Sequence, residues 1–426
     1  MSNKRRHNPW IWIPGLFATE GVISATITYV ALLMFIQMGT SCFVATLLSA
    51  TLLLPSVLKF SNNFGKCRNE LLKILILLFQ TFLFISFICA AYFVNHLKGN
   101  VIAIFVCLMI ISVLNACNEK FVARYYNNQL NRKKQNVLGN YKYVASQLSF
   151  IVAYGILIIF VGLHEIIFRN IHLAWSMAFY LIAGGVLILL MVNSFLLKKP
   201  EKENAVNYFM TRPLSLPRKI LFRNIRFVFI IFMLLLPQSL LFATRVFFLM
   251  ASDIDGGLNY TLQDVGFAQG TIGVIAFSIG TFIGQHLMRK FGYKKLFWIM
   301  VFPLIASPFF YLIMSYVLST NMIHVCMMTF ASQLCFGLGL NIFVVFINRT
   351  NDFLEDNIIN LVHNPLVVVA MFVPIAFSGW LVQIFTFKTY YLINSLTAIL
   401  TILTLLFNYK FIVRHILNYR KKINVD

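Results

Sequence analysis

Val265–Leu287, VGFAQGTIGVIAFSIGTFIGQHL, runs for a full membrane thickness without one Lys, Arg, Asp or Glu. A mostly apolar run of about 18 residues or more reads as a bilayer-spanning helix. Its backbone groups find partners in lipid only within the helix itself. Tyr390–Tyr409, YYLINSLTAILTILTLLFNY, repeats the pattern near the other end of the chain. The composition agrees: 60% of the 426 residues are hydrophobic and 11% are charged, against roughly 25% charged residues in a soluble domain.

Working outward from these runs gives twelve expected spans: 10–36, 42–60, 71–94, 101–118, 143–163, 172–197, 227–250, 265–288, 296–318, 322–347, 358–384 and 390–409. The net charge of +22 sits in the connections between them. Lys4/Arg5/Arg6, Lys66/Arg68, Arg124/Arg132/Lys133/Lys134/Lys142, the 198–226 segment, Arg289/Lys290/Lys294/Lys295 and the tail from Lys410 all fall on one side. The other side carries single basics such as Lys98, Arg169 and Lys388, and a 251–264 loop with Asp253, Asp255 and Asp264. This asymmetry is the positive-inside pattern, which places both termini in the cytoplasm. It also turns the basic charge toward membrane headgroups and away from nucleic acid.

The expected fold class is all-α integral membrane, with two six-helix bundles of the major facilitator type. The division is 1–197 for the first bundle, 198–226 for a basic cytoplasmic linker, 227–409 for the second bundle and 410–426 for a basic cytoplasmic tail. Phe64-Gly65-Lys66-Cys67-Arg68 after the second span is echoed by Phe291-Gly292-Tyr293-Lys294-Lys295 after the eighth. Both read as tight cytoplasmic turns, with Gly65 and Gly292 permitting the reversal. Parallel six-helix repeats mark the major facilitator architecture.

Ionisable groups at membrane depth are costly and face a cavity or a partner. Glu20, in the first span, is the leading candidate for proton coupling or substrate contact; the competing role is a local ion pair or packing group. Arg245, in the seventh span, either faces the cavity or snorkels to the interface. Glu119 and Lys120 close the fourth span, as a gate pair with another helix or as a solvated helix end. His363 in the eleventh span is either lining or core. Gly280 and Gly284, and Gly337-Leu338-Gly339, read as close helix packing. Pro303, Pro308, Pro365 and Pro374 are expected kinks.

The seven cysteines include no C-x-x-C pair, the eight histidines form no H-x-x-x-H cluster, and no phosphate-binding Walker loop occurs. The expectation is therefore no metal, no cofactor, no ATP drive and no enzyme.

Pro9-Trp10-Ile11-Trp12-Ile13-Pro14 followed by Ala18-Thr19-Glu20-Gly21 resembles the opening of the AmpG-like muropeptide permeases, a branch of the major facilitator superfamily. Leu54-Pro55 with Lys59, Asp264-Val265-Gly266-Phe267, Gly270–Ala276, Gly292–Lys295, and Pro374 with Ser378-Gly379-Trp380-Leu381 resemble later parts of that family. The resemblance implies proton-driven import of cell-wall fragments across the bacterial inner membrane by a monomer, and Glu20 matches a family glutamate. The chain departs from the family at Ala123, where a second acidic residue is usual, at Ser61-Asn62-Asn63-Phe64, and at Leu235-Leu236-Pro237-Gln238. Alternatives are a lipid-linked oligosaccharide flippase and a non-transporting membrane protein derived from a transporter.

Overall fold

The structure, a computed structural model, describes residues 9–60, 71–96, 100–130, 132–197, 225–252, 256–318, 321–353 and 360–412. Helices fall on every one of the expected spans. They are α1 (Pro9–Gln37), α2 (Cys42–Thr51, continued by a 3-10 turn Leu54–Phe60), α3 (Leu72–His96) and α4 (Val101–Gln129). Next come α5 (Arg132–Ile151, Val152–Ile156 and Leu157–Phe168), α6 (Ile171–Leu196) and α7 (Ile225–Met250). The rest are α8 (Leu262–Phe291), α9 (Tyr293–Val317), α10 (Met322–Phe353), α11 (Asn360–Ile384) and α12 (Phe387–Phe407).

Among the described residues, ten helices are long and apolar enough to cross a membrane, and two shorter apolar stretches, Cys42–Val57 and Val368–Ile384, fall on the second and eleventh spans. The chain is a multi-pass membrane protein. Large apolar side chains such as Ile85, Phe195, Ile299 and Phe407 are exposed, as lipid-facing residues must be.

Two boundaries correct the expectation. α4 was expected to stop at 118 and continues to Gln129; α5 was expected from 143 and starts at Arg132. The extra turns are polar, and hydropathy cannot see a helix once it leaves the apolar layer. Tertiary packing holds the α4 extension: Tyr125 and Tyr126 meet Trp12 of α1 edge-on, with ring centroids 5.3 Å and 6.3 Å away.

Every even-numbered helix opens on a polar side chain that accepts a backbone N–H of the first turn. These are Ser41 for α2, Asn100 for α4, Asn170 for α6, Thr261 for α8, Asn321 for α10 and Thr386 for α12. Such caps satisfy donors that the helix cannot pair internally, each contributing about 0.5–2 kcal/mol. At Thr261 the cap is reciprocal, because Asp264 accepts from the Thr261 N–H.

The helices group into two bodies, one holding α1 and α3–α6, the other α2 and α7–α12. In the first body α1 packs on α5 and α6, and α3 packs on α4 and α6. In the second body α7 packs on α11 and α12, and α9 packs on α10 and α12. These four pairings of the second body are those of the first shifted by six helices; the turn at Phe64–Arg68 lies outside the described residues. The short α2, expected in the first bundle, packs on α11 and belongs to the second body by contact.

Glycines bring the backbones together where the sequence expected packing. A Cβ on Gly280 would strike the Leu334 carbonyl of α10, and one on Gly337 would strike the Phe277 carbonyl of α8. Gly339 abuts Leu304 of α9 on the other side of α10, and Gly21 abuts the Ser146 carbonyl, joining α1 to α5.

The prolines inside helices leave carbonyls four residues upstream without a backbone donor. Three of these are covered by side chains from neighbouring helices. Pro237 frees the Met233 carbonyl, and Thr401 of α12 donates to it at 2.8 Å. Pro308 frees the Leu304 carbonyl, and Gln238 of α7 donates to it at 2.7 Å. Pro14 frees the Trp10 carbonyl, and Tyr141 of α5 donates to it at 3.2 Å. The α7–α12 seam is extended by Asn394 to the Pro237 carbonyl, Tyr390 to the Leu240 carbonyl and Tyr391 to the Thr244 carbonyl.

Thr401→Val should lower stability in detergent by about 1–3 kcal/mol, the cost of an unsatisfied buried carbonyl. In a Pro237→Ala background the same change should cost much less, because the restored N–H at position 237 serves Met233. Thermal unfolding of the four proteins of this double-mutant cycle checks the coupling.

Candidate functional site

Buried polar residues are spread over both bodies, and those of α1, α3, α4 and α6 in the first and of α7 and α8 in the second include the sequence candidates or buried amides near them. Glu20 follows Thr19, whose hydroxyl turns back to the Leu16 carbonyl at 2.6 Å. Thr19 is buried and Gly21 is wedged against α5, so the α1 backbone around Glu20 is fixed by packing. Glu20 itself is half-buried, and among the described residues no hydrogen bond or ion pair engages its carboxylate.

Glu119 is not a solvated helix end. α4 continues beyond it, and the side chain is 8% exposed. Asn115, one turn earlier, donates through Nδ2 to Glu119 Oε1 at 2.6 Å. Asn118 lies between them in sequence and is fully buried, yet among the described residues neither atom of its amide has a partner; Asn115 Oδ1 also has none. An unsatisfied buried polar group costs about 1–3 kcal/mol, so this turn of α4 is poorly suited to a dry interior.

Amides form a second polar knot in the first body. Asn193 of α6 donates to Gln80 Oε1 of α3 at 3.2 Å and lies 3.4 Å from the Gly15 carbonyl of α1, with Gln80 and Asn193 both fully buried. The other amide atoms, Gln80 Nε2 and Asn193 Oδ1, lack partners among the described residues. Glycine at 15 leaves room for the Asn193 amide.

In the second body Arg245 is 7% exposed and lies within electrostatic reach of Tyr391. It is therefore buried among the helices of its body. Gln269, in a π-helical stretch of α8 (Gly266–Gly273), donates to the Tyr311 hydroxyl at 2.8 Å. Wide turns of this kind occur often at functional sites. Similar turns interrupt α1 at Thr26–Val30 and α5 at Val152–Ile156, where Tyr29 and Tyr154 stack with centroids 4.5 Å apart.

The remaining sequence candidates divide. Gly292 has φ of +79°, as a reversal between α8 and α9 requires, and Lys295 at the start of α9 is exposed. Lys294 lies in α9 and His363 in α11, but their side chains are outside the described residues, as are Gly65, Lys66 and Arg68 altogether. Among the described residues no group of His, Cys, Asp or Glu is arranged to hold a metal ion. The structure brings Glu119 together with Asn115; Glu20 and Arg245 stand in different bodies. Sequence reasoning tracked charges and so passed over Gln80, Asn115, Asn118, Asn193 and Gln269. Their signal was present as amides inside otherwise apolar runs.

No protein-family model matches the sequence, and no curated protein matches it. Solved structures do. A mutant form of the nucleoside transporter NupG superposes with a TM-score of 0.69 at 15% identity, over 95% of this chain and 100% of that one. A bacterial homologue of the human lysosomal transporter Spinster gives 0.62 at 12% identity over 99% and 100%, and a D-xylose–proton symporter gives 0.62 at 16% over 92% and 95%. The chain has the major facilitator fold. That fold extends over nearly its whole length, and the six-helix shift in packing is its internal repeat.

Asn115→Leu should destabilise the protein by about 1.5–3 kcal/mol, because it removes a hydrogen bond to a carboxyl group. The penalty should shrink in a Glu119→Leu background, where the Asn115–Glu119 hydrogen bond is already absent. Thermal unfolding in detergent measures both.

Proposed function

We propose that the chain is a secondary active transporter that moves a small polar solute by alternating access. The observation that carries this reading is the whole-length likeness to major-facilitator transporters combined with a half-buried carboxylate, Glu20, that no group among the described residues engages. A carboxylate at membrane depth without a partner is costly unless a solute, a proton or water meets it. In this reading Glu20 is the coupling or substrate-contacting group. Glu119 and Arg245 add a buried acid and a buried base, one in each body, and His363 is a further candidate.

The finer reading is proton-coupled uptake of muropeptides or related cell-wall sugar-peptides across a bacterial inner membrane. The resemblance of Pro9–Gly21 and of the α8 and α11 motifs to the AmpG-like permeases supports it. The protein would act as a monomer with both termini in the cytoplasm, where the basic connections lie. The spans would alternate between states open to either side of the membrane, with 1–197 and 227–409 as the two halves of the chain, 198–226 as the linker and 410–426 as a tail. The turns bearing Gly65, Lys66 and Arg68, and Gly292, Lys294 and Lys295, would lie on the cytoplasmic side. The exchange needs no cofactor and no enzymatic step.

Cells lacking their own permease and expressing this chain should take up labelled anhydro-muropeptide, faster at acidic external pH. Glu20→Gln should abolish the pH-dependent component, with membrane abundance checked by immunoblot. Undiminished, pH-dependent uptake by the variant removes Glu20 from the mechanism. Failure of every candidate in a panel of muropeptides, sugars, nucleosides and peptides removes the transporter reading.

A further inference from the structure

The geometry points to a binding site on α4, built by Asn115, Asn118 and Glu119, for the neutral hydroxyl or amide groups of the solute. This inference rests on the transport reading and names the chemistry the carrier would recognise. The three residues sit at positions i, i+3 and i+4, so they share one face of α4. They are 5%, 0% and 8% exposed.

Glu119 accepts from Asn115 Nδ2 at 2.6 Å, which orients both side chains. What stays open is an acceptor on Asn115 and both a donor and an acceptor on Asn118. Gln80 and Asn193 differ in kind. Those amides each lack one partner but bond to each other, whereas the Asn118 amide bonds to nothing among the described residues at either end.

The open set selects its ligand. Two amide oxygens ask for O–H or N–H donors, and one amide nitrogen asks for an acceptor. Sugar hydroxyls and acetamido or peptide amides carry both kinds of group. A phosphate or carboxylate brings acceptors only, and would also lie close to the Glu119 carboxyl group. The alternative occupant is water alone, and the alternative to any occupant is a dry amide retained at a cost to stability.

Full-length protein in detergent micelles separates these cases by thermal unfolding against three probes: N-acetylglucosamine, xylose and glucose 6-phosphate. The expected result is a concentration-dependent rise in melting temperature with at least one neutral sugar and none with the phosphate. Asn118→Leu should weaken the apparent affinity about tenfold or more, the loss expected for one well-made hydrogen bond. Asn118→Ser, which keeps a hydroxyl and leaves space, should fall between and serves if the leucine variant does not fold. The inference is overturned if no neutral sugar raises the melting temperature of the unsubstituted protein. It is equally overturned if the sugar-induced rise survives both Asn118 substitutions. A sugar-induced rise that Asn118→Leu removes, in a protein that takes up nothing, keeps the site and sinks the transport reading. Uptake unaffected by Asn118→Leu does the reverse.

Discussion

In a hydrocarbon layer a peptide carbonyl or N–H has no water to turn to, and each one left unpaired costs several kcal/mol. The rest of this structure is organised by that constraint. It forces the spans into helices, and it demands a compensating donor wherever a helix is interrupted. Thr401, Gln238 and Tyr141 each reach across to a carbonyl that a proline has released. Each compensation also ties two helices together, so the interruptions of α1, α7 and α9 become points of attachment. Gln238 shows this best. It stands next to Pro237 on α7 and covers the carbonyl released by Pro308 on α9, so it links two proline breaks in one body.

The same constraint makes the exceptions informative. Where the backbone is so fully paired, a buried side-chain amide with no partner stands out. Asn118 and the open end of Asn115 are such exceptions among the described residues, and they share a face of α4 with the buried Glu119. Gln80 and Asn193 carry a milder version. A carrier must hold its solute at membrane depth and release it, which requires polar groups whose partners are not all supplied by the protein.

Charge plays a smaller part in the fold than the net +22 suggests. The basic residues lie mostly in the connections, and few ionisable groups enter the spans. The second body holds Arg245 within reach of Tyr391, and the first holds Glu20 and Glu119, so the buried acid Glu119 and the buried base Arg245 stand in different bodies. Glycine has a corresponding role in packing. Gly280 and Gly337 let α8 and α10 meet backbone to backbone, with Gly339 doing the same for α10 and α9.

The helices were legible in the amino-acid sequence, because the bilayer imposes one length and one polarity on a span and apolar runs report both directly. A helix falls on each expected span, and ten of them are long and apolar enough to cross a membrane among the described residues. The sequence also showed the glycine contacts of α8 with α10. It did not show that α4 runs on to Gln129, because that extension leaves the apolar layer and is held by Trp12. Nor did it place α2 against α11, show which donors cover the proline-freed carbonyls, or bury Glu119 beside Asn115. Those outcomes depend on which helix faces meet, and residues far apart in the chain settle that only when the helices are packed.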